Sequence, residues 1–401
     1  MTHDTDTTAT RDTTVPTRRG ADDATGNRGE VTDPTRRRLL RTTAGSVGAG
    51  LGAGALTAGA AAEETTHDVM FTANVADGTA TMIDPSSYDV LGTIDLYPEE
   101  NRADSLHDSI QSVGTEILNA FARENYVEHV NVSPDGRTLY AARGHVGDVV
   151  AIDIASNDLR WEHDLPGFRA DHMILSPDGD FLYVADIMFD TIVKIHTGTG
   201  WRVGGAPAHT WPHGLHLHEL PAFGGDLTLI NGSLGTVITP EALGHTRLTF
   251  IDPFWMWPKR TVDFEDGVRP FRVTHDGRKI YCQISKFHGF HEYDVDRDEV
   301  TRTKELPRTE HVPDDEGDYP LQSAHHGIAL SGDEEYICVA GTTSWYAAVV
   351  RRSDFALVGT THVGEHPYWV TTAPDGDHAF VAVRGEGHVS VIRYEDAEEV
   401  A

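Results

Sequence analysis

The stretch Val132-Ser133-Pro134-Asp135-Gly136, followed by the apolar run Thr138-Leu139-Tyr140-Ala141, decides the fold of this chain. Serine, proline, aspartate and glycine form turns, and Asp-Gly favours a tight reversal between two strands. An alternating segment, Val149-Val150-Ala151-Ile152-Asp153, comes next and has the pattern of a third, half-buried strand. The stretch therefore predicts three consecutive antiparallel strands joined by short turns.

The same unit recurs along the chain. Variants of the turn end at residues 136, 179, 277, 334 and 376, so the intervals are 43, 98, 57 and 42 residues, and the interval of 98 has room for two units. A period in the forties with three or four short strands per unit is typical of β-propeller blades. The pattern predicts an all-β fold, a seven-bladed β-propeller with about four antiparallel strands per blade. The predicted blades are 67–96, 126–165, 168–208, 211–265, 267–306, 320–362 and 364–393.

The composition excludes several classes of protein. The 401 residues include 63 Asp and Glu against 32 Lys and Arg, a formal net charge of −31. So acidic a chain lacks the positive charge that neutralises phosphates, and we expect no nucleic-acid partner. Hydrophobic residues make up 39% of the chain, too few and too dispersed for a polytopic membrane protein. The acidic, arginine-preferring composition predicts a salt-adapted (halophilic) protein.

The first 62 residues have the pattern of an export signal preceded by a polar extension. Residues 1–34 are polar and are predicted to be a disordered extension. Residues 35–62 open with Thr35-Arg36-Arg37-Arg38-Leu39-Leu40-Arg41 and continue as an uncharged stretch rich in Ala and Gly. They resemble a twin-arginine signal peptide, which implies that the propeller domain at 63–401 is exported to an extracytoplasmic location. Membrane association is expected only if the signal stays uncleaved.

The two cysteines carry little functional information. Cys282 and Cys338 occupy similar places, each in the apolar run after a turn of the repeat. Two cysteines are no disulfide framework, so we expect buried free thiols.

The Ser-Pro-Asp-Gly turn, an aromatic second strand such as Phe181-Leu182-Tyr183-Val184-Ala185, and a third strand ending in Ile-Asp resemble the YVTN-type propeller repeat over roughly 67–393. A propeller of this kind also forms the amino-terminal domain of nitrous-oxide reductase. The resemblance implies architecture, since the fold hosts binding, structural and redox proteins alike. In nitrous-oxide reductase, histidines from several blades hold a copper cluster on the propeller axis. This chain shows no counterpart of that family's cupredoxin domain or Cys-rich electron-entry site, so nitrous-oxide reduction itself is not expected.

Histidines open most of the predicted inner strands. In a four-stranded blade the innermost strand begins near the axis, on the face where the second strand ends. Five of the six inner strands visible in the sequence begin with histidine, and the sixth begins with Arg269-Pro270. The five dipeptides are Glu128-His129, Asp171-His172, Pro212-His213, His325-His326 and His366-Pro367.

More histidines and the insertions are predicted on the same face. The loops between second and third strands contain His145, His245, His288 and His388. Residues 104–123 have helical apolar spacing and predict one inserted amphipathic helix. Longer loops at 234–245 and 307–324 fall there too. One face of the propeller is therefore expected to carry the functional site.

Neutral imidazoles that converge near an axis suit copper, zinc, nickel or iron. A second set of residues is expected to orient such metal ligands or to take part in binding a ligand of the protein. The candidate metal ligands are His129, His172, His213, His326 and His366. The second set is Glu128, Asp171, His145, His325, His388, Arg143 and Arg384.

Two functions remain open at this point. The first is an exported propeller that binds a small molecule or a protein partner on its histidine-rich axial face, without catalysis. The second is a metal-dependent oxidoreductase, with copper as the expected metal, whose histidine-ligated centre lies at the axis. A ring of histidines also fits a solvated polar channel or a pocket for an organic ligand. No catalytic residue is identified, so the sequence leaves enzymatic activity open.

Overall fold

Seven antiparallel sheets of three or four strands follow one another along the part of the chain that the structure describes. The structure is a computed structural model and describes residues 9–10, 14–17, 65–97, 125–167, 169–208, 210–235 and 246–401. Each sheet is one blade, and in every blade but the first the strands are consecutive in the chain, which confirms the predicted seven-bladed β-propeller.

The strands of each blade run from the axis outward in chain order. The first blade contains β1 (Ala9–Thr10), β4 (Met70–Asn74), β5 (Thr79–Ile83) and β6 (Val90–Asp95). The second contains β7 (His129–Val132), β8 (Thr138–Arg143), β9 (Asp148–Asp153) and β10 (Leu159–Asp164). The third contains β11 (Ala170–Leu175), β12 (Phe181–Asp186), β13 (Thr191–His196) and β14 (Trp201–Pro207). The fourth contains β15 (Pro212–Leu220), β16 (Asp226–Ser233), β17 (Thr246–Asp252) and β18 (Trp257–Phe264).

The remaining blades keep this order. The fifth contains β19 (Val268–Val273), β20 (Lys279–Ile284), β21 (Gly289–Asp294) and β22 (Glu299–Glu305). The sixth contains β23 (Ile328–Leu330), β24 (Tyr336–Gly341), β25 (Tyr346–Arg351) and β26 (Leu357–His362). The seventh contains β27 (Pro367–Thr372), β28 (His378–Val383) and β29 (His388–Arg393). Two further strands, β2 (Thr14–Thr17) and β3 (Thr65–Asp68), form a separate sheet. Short 3₁₀ helices span Ile187–Phe189, Pro221–Phe223, Glu316–Asp318 and Pro320–Gln322.

The repeated turn owes its shape to its own side chains. The Ser133 hydroxyl donates to the Asp135 carboxylate (2.6 Å) and accepts the Thr138 backbone N–H (2.9 Å). Gly136 follows with φ +71°, a left-handed conformation that glycine adopts without steric cost. The turn at Ser176 has the same serine–aspartate bond. Local chemistry therefore sets the reversal between first and second strands, blade after blade.

Apolar clusters between neighbouring blades hold the ring together. Met70 and Ile83 of the first blade pack with Trp369 and Phe380 of the seventh, so side chains join the first and last blades. The other clusters unite adjacent blades in the same manner. Each fully buried Val, Leu, Ile or Phe contributes about 1.5–3 kcal/mol, so the ring is stabilised mainly at these joints.

Several predictions fall outside the described residues, namely the signal peptide at 35–62, the inserted helix at 104–123 and most of the loop at 234–245. The chain divides into two units, residues 1–15 with 67–401 and residues 16–66, and only the strand ends at 16–17 and 65–66 of the second are described. None of the helices in the described ranges has the length and hydropathy of a membrane-spanning segment. Cys282 and Cys338 are buried free thiols, as expected.

Candidate functional site

The inner strands of neighbouring blades contact one another around the centre of the ring, and most of them begin with an irregularity. The strand register shifts between Ala170 and Met173, between Pro212 and Leu215, and between Pro367 and Trp369. Such bulges redirect side chains and occur preferentially beside active sites. Here the bulges contain His172, His213 and Tyr368.

Three histidines from different blades meet at this centre. One ring nitrogen each from His172, His213 and His326 lies within 4.8 Å of the other two. All three side chains are buried. We call these three residues the axial triad. Residues from the third, fourth and sixth blades can share a site only because inner strands converge at the propeller axis.

The hydrogen bonds of the triad assign its tautomers. His213 donates from Nδ1 to Oδ1 of Asp171 (2.5 Å), and His326 donates from Nδ1 to the carbonyl oxygen of Tyr368 (3.0 Å). Nδ1 of His129 accepts the backbone N–H of Met173 (3.4 Å), so in its 3.0 Å contact with Nδ1 of His172 the proton belongs to His172. In their neutral forms, all three members therefore carry a lone pair on Nε2.

The Nε2 lone pairs of the triad are not matched by hydrogen-bond donors among the described residues. Nε2 of His172 is buried and has no hydrogen-bond partner among the described residues. Nε2 of His213 and Nε2 of His326 lie 3.1 Å apart, so two lone pairs repel unless a proton or a metal ion lies between them. On a tetrahedral metal with bonds of about 2.0 Å, two nitrogen ligands lie about 3.3 Å apart. The donor set and its spacing thus fit a transition-metal ion.

Burial disfavours the protonated form of His129, His172 and His326. It lowers the pKa of His172 and of His326 well below the usual range, and the nearby His213 adds to the effect for both. Burial, together with the Arg272 guanidinium, lowers the pKa of His129 to about 3. Neutral rings are the form that binds metal.

A carboxylate supports the triad from one side. Burial by itself disfavours the charged form of Asp171, but His213 and Arg169 hold its pKa below the usual range. The Asp171–His213 bond is the carboxylate–histidine arrangement that orients metal ligands and raises their basicity. Glu128 lies near Asp171 and His172, and burial followed by repulsion from Asp171 raises its pKa.

Aromatic rings and an arginine enclose the triad. Tyr368 stacks on His326 with ring centroids 3.8 Å apart, and Trp369 lies 4.9 Å from His172. Arg272 lies over the Trp369 ring and donates to Nε2 of His216 (3.0 Å). Sequence reasoning missed Tyr368, Trp369 and Arg272. The one sequence signal in that blade was its opening with Arg269-Pro270 where the others have histidine, and it points to Arg269 and not to Arg272.

The other predicted ligands are placed differently. His129 touches His172 through Nδ1, a contact that suits orienting the ring. The His366 ring lies 6.0 Å from that of Trp345 and is not part of the axial triad. The double histidine diverges, because His325 faces away from its neighbour and contacts the Tyr346 hydroxyl (3.3 Å). The His325 ring also lies 5.3 Å from that of His288.

The residues of the second predicted set also lie in different surroundings. Burial, then Arg169 and Arg384, lowers the pKa of His145 to about 3, so these groups lie within electrostatic range of one another. Arg143 is buried in a structural role, since it bonds Asp148 through two nitrogens and also pairs with Glu162. His388 is half-exposed and donates from Nε2 to the carbonyl oxygen of Val363 (3.1 Å). Sequence spacing alone made Arg143–His145 and Arg384–His388 look alike.

Two cavities lie on the flanks of the propeller, away from the axial triad. One of about 510 Å³ lies between the fifth and sixth blades, where Arg302, Arg351 and Arg352 face Glu292 and Glu334. The other, of about 440 Å³, lies between the first and seventh blades and includes Tyr88 and Phe380. Neither contains a member of the axial triad. The chemistry of the donors, rather than cavity size, identifies the axial site.

Comparison with known proteins adds the fold and nothing finer. No family profile matches the chain, and no curated protein matches it in sequence. Among solved structures, hydrazine synthase of Kuenenia stuttgartiensis is similar, with a TM-score of 0.58 and 18% sequence identity over 82% of this chain and 93% of that chain. At this identity the likeness supports the propeller fold alone.

Proposed function

We propose that this protein is a metal-binding β-propeller in which His172, His213 and His326 hold one transition-metal ion at the propeller axis. The observation that carries the proposal is the 3.1 Å separation of Nε2 of His213 and Nε2 of His326, whose Nδ1 atoms are both committed to other acceptors. A cation between the two nitrogens removes their repulsion. The buried, unpartnered Nε2 of His172 supplies the third ligand.

The surrounding residues have defined tasks in this proposal. Asp171 and the Tyr368 carbonyl hold the His213 and His326 rings in the tautomer that presents Nε2. His129 does the same for His172. Trp369 covers the rings and keeps water from them, since its own side chain is only 5% exposed. Three protein ligands leave a coordination position open, which is typical of catalytic rather than structural metal sites.

Copper is the metal we propose, because neutral imidazoles suit it and divalent copper binds nitrogen ligands more tightly than the other first-row divalent ions. With copper, the open position makes a metal-dependent oxidoreductase the finer proposal. The similarity to hydrazine synthase does not supply the reaction, because it extends to the fold only.

A second candidate is a propeller that binds a small molecule or a protein partner on this axial face without a metal. It is favoured if a proton, not a metal ion, lies between His213 and His326. In either case we propose a salt-adapted YVTN-like protein that the twin-arginine route exports. Replacing Arg36 and Arg37 by lysine is expected to retain the chain inside the cell, as cell fractionation would detect.

Metal analysis of protein purified without chelators tests the main proposal. We expect about one equivalent of copper or another transition metal per chain, and its loss in His172→Ala and His213→Ala. The matched control is His388→Ala, which removes a half-exposed histidine outside the axial triad and is expected to keep the metal. Metal-free wild-type protein that also fails to bind added Cu²⁺ or Zn²⁺ would overturn the proposal and leave the second candidate.

A further inference from the structure

Three arginines from different blades lie near the axial triad. Arg169 precedes the third blade's inner strand, and its Nη2 is 3.7 Å from Oδ2 of Asp171 and 3.9 Å from Oε2 of Glu128. Arg269 lies in the inner strand of the fifth blade, where it is 5% exposed. Arg384 follows the second strand of the seventh blade, and its guanidinium lies 5.4 Å from the centre of the Tyr368 ring.

These arginines lie within electrostatic range of one another or of shared neighbours. Arg169 and Arg384 both lower the pKa of His145. Arg269 lowers the pKa of His326, and Arg169 lowers the pKa of Arg269. Tyr368 connects Arg384 to the triad, because the same ring stacks on His326. The arginines therefore gather beside the triad, at the end of the axis where the inner strands begin.

The charge of this group is unusual for the chain. Three arginines lie near the triad in a protein whose net charge is −31, and one of them, Arg169, lies beside two buried carboxylates, Asp171 and Glu128. Buried charges are retained where they are paired or where they bind something. In so acidic a protein, arginines from three blades gathered beside the triad are a feature that packing alone does not require.

Arg169 and Arg269 also have spare hydrogen-bonding capacity. Nε of Arg169 is buried and has no hydrogen-bond partner among the described residues. Its two carboxylate contacts, at 3.7 and 3.9 Å, are longer than hydrogen bonds. Arg269 uses Nε on the Ser285 hydroxyl and Nη2 on backbone carbonyls, which leaves Nη1 out of those bonds.

We propose that Arg169, Arg269 and Arg384 form a binding site for a small oxyanion or carboxylate beside the axial triad. Guanidinium groups bind such anions through paired, charge-assisted hydrogen bonds. The inference rests on the proposed function for one point, that a metal ion in the triad adds positive charge and turns the anion site into the substrate site of the metal centre. The arginine geometry stands without the metal.

Calorimetric titration at constant ionic strength tests the inference, with acetate and sulfate as probes and acetamide as the neutral match for acetate. We expect saturable binding of acetate and sulfate and none of acetamide. Arg169→Gln and Arg384→Gln should each weaken anion binding by tenfold or more, the usual loss for one charge-assisted hydrogen bond. Arg351→Gln, in the flank cavity, is the matched control and should bind like wild type.

The titrations are run on metal-loaded and on chelator-treated protein, which separates this inference from the proposed function. Anion binding that depends on Arg169 in protein that never holds metal sustains the arginine site and removes the metal centre. A metal-loaded protein that binds neither anion overturns the arginine site alone. Equal anion binding by wild type, Arg169→Gln and Arg384→Gln also overturns the arginine site, provided that circular dichroism shows that both variants are folded.

Discussion

Two pairs of buried histidines in this propeller have the same spacing but different hydrogen bonds. We call His213 and His326 the axial pair, and His288 and His325 the outer pair. The rings of His213 and His326 lie 5.3 Å apart, and so do those of His288 and His325. In the first pair, acceptors engage both Nδ1 atoms and the Nε2 atoms face each other. In the second pair, each Nε2 contacts a tyrosine hydroxyl and each Nδ1 is buried without a partner among the described residues.

The comparison teaches that burial and proximity do not make a metal site. What distinguishes the axial pair is that its two Nε2 atoms face each other at 3.1 Å, and that a third imidazole converges on them. The outer pair lacks a third ligand within the described residues. Three experiments would break or sharpen this contrast.

Removing the cover of the axial triad is expected to have the largest effect. Trp369→Ala leaves a cavity beside His129, His172 and His326, because the ring packs against all three. We expect a loss of about 3–5 kcal/mol in the free energy of unfolding, the usual range for a buried tryptophan. Chemical denaturation measures it. Trp257→Ala is the control, since that side chain is 71% exposed, and a similar loss there would contradict the argument.

Removing the carboxylate behind His213 is expected to have an intermediate effect. Asp171→Asn keeps the shape but removes the charge that fixes the tautomer of His213 and raises its basicity. We expect metal affinity to fall by about 10–100-fold, as for other partners of metal-bound histidines. Competition with a chelator of known affinity measures the change. Glu265→Gln breaks another carboxylate–histidine contact, that with His291 (2.9 Å), and is expected to leave metal affinity unaltered.

Titration of the outer pair is expected to give the smallest effect. Burial, then Arg308, lowers the pKa of His288 to about 4. Between pH 6.5 and about 4 the unfolded chain binds a proton there and the folded chain does not, so stability falls as the pH falls. His288→Gln should make that dependence shallower by up to about 1.4 kcal/mol per pH unit. The free energy of unfolding, measured across this pH range, tests the prediction. His362→Gln is the control, because His362 is exposed. If His288→Gln leaves the slope unaltered, His288 is not a neutral, buried imidazole in the folded protein.

Much of the fold could be predicted from one local signal. The bonds from Ser133 to Asp135 and to Thr138 connect residues that are close in sequence, so the turn is legible without a structure. Its recurrence at five positions predicted the propeller, and the spacing of the turns and of the apolar runs between them predicted seven blades and most of their limits. The signal weakens where another residue replaces glycine, as at Glu334, which adopts φ +59° in the sixth blade.

The candidate site was only partly predictable. His172, His213 and His326 could be selected because topology brings the starts of inner strands together. His366 and His325 satisfied the same sequence rule and point elsewhere, because a bulge or a one-residue step turns a side chain to another face. Arg272 and Trp369 gave no such signal, since an arginine and a tryptophan in inner strands serve equally well in packing.

The sequence by itself determined the acidic surface, the turn chemistry, the seven-fold repeat and the gathering of histidines near one end of the axis. These properties depend on composition and on contacts between residues a few positions apart. Only the tertiary structure decided which imidazoles meet, which nitrogen each presents, and that three arginines accompany them. Those outcomes depend on contacts across 40 to more than 100 residues of chain, such as the one between His213 and His326, whose geometry arises only when the blades close into a ring.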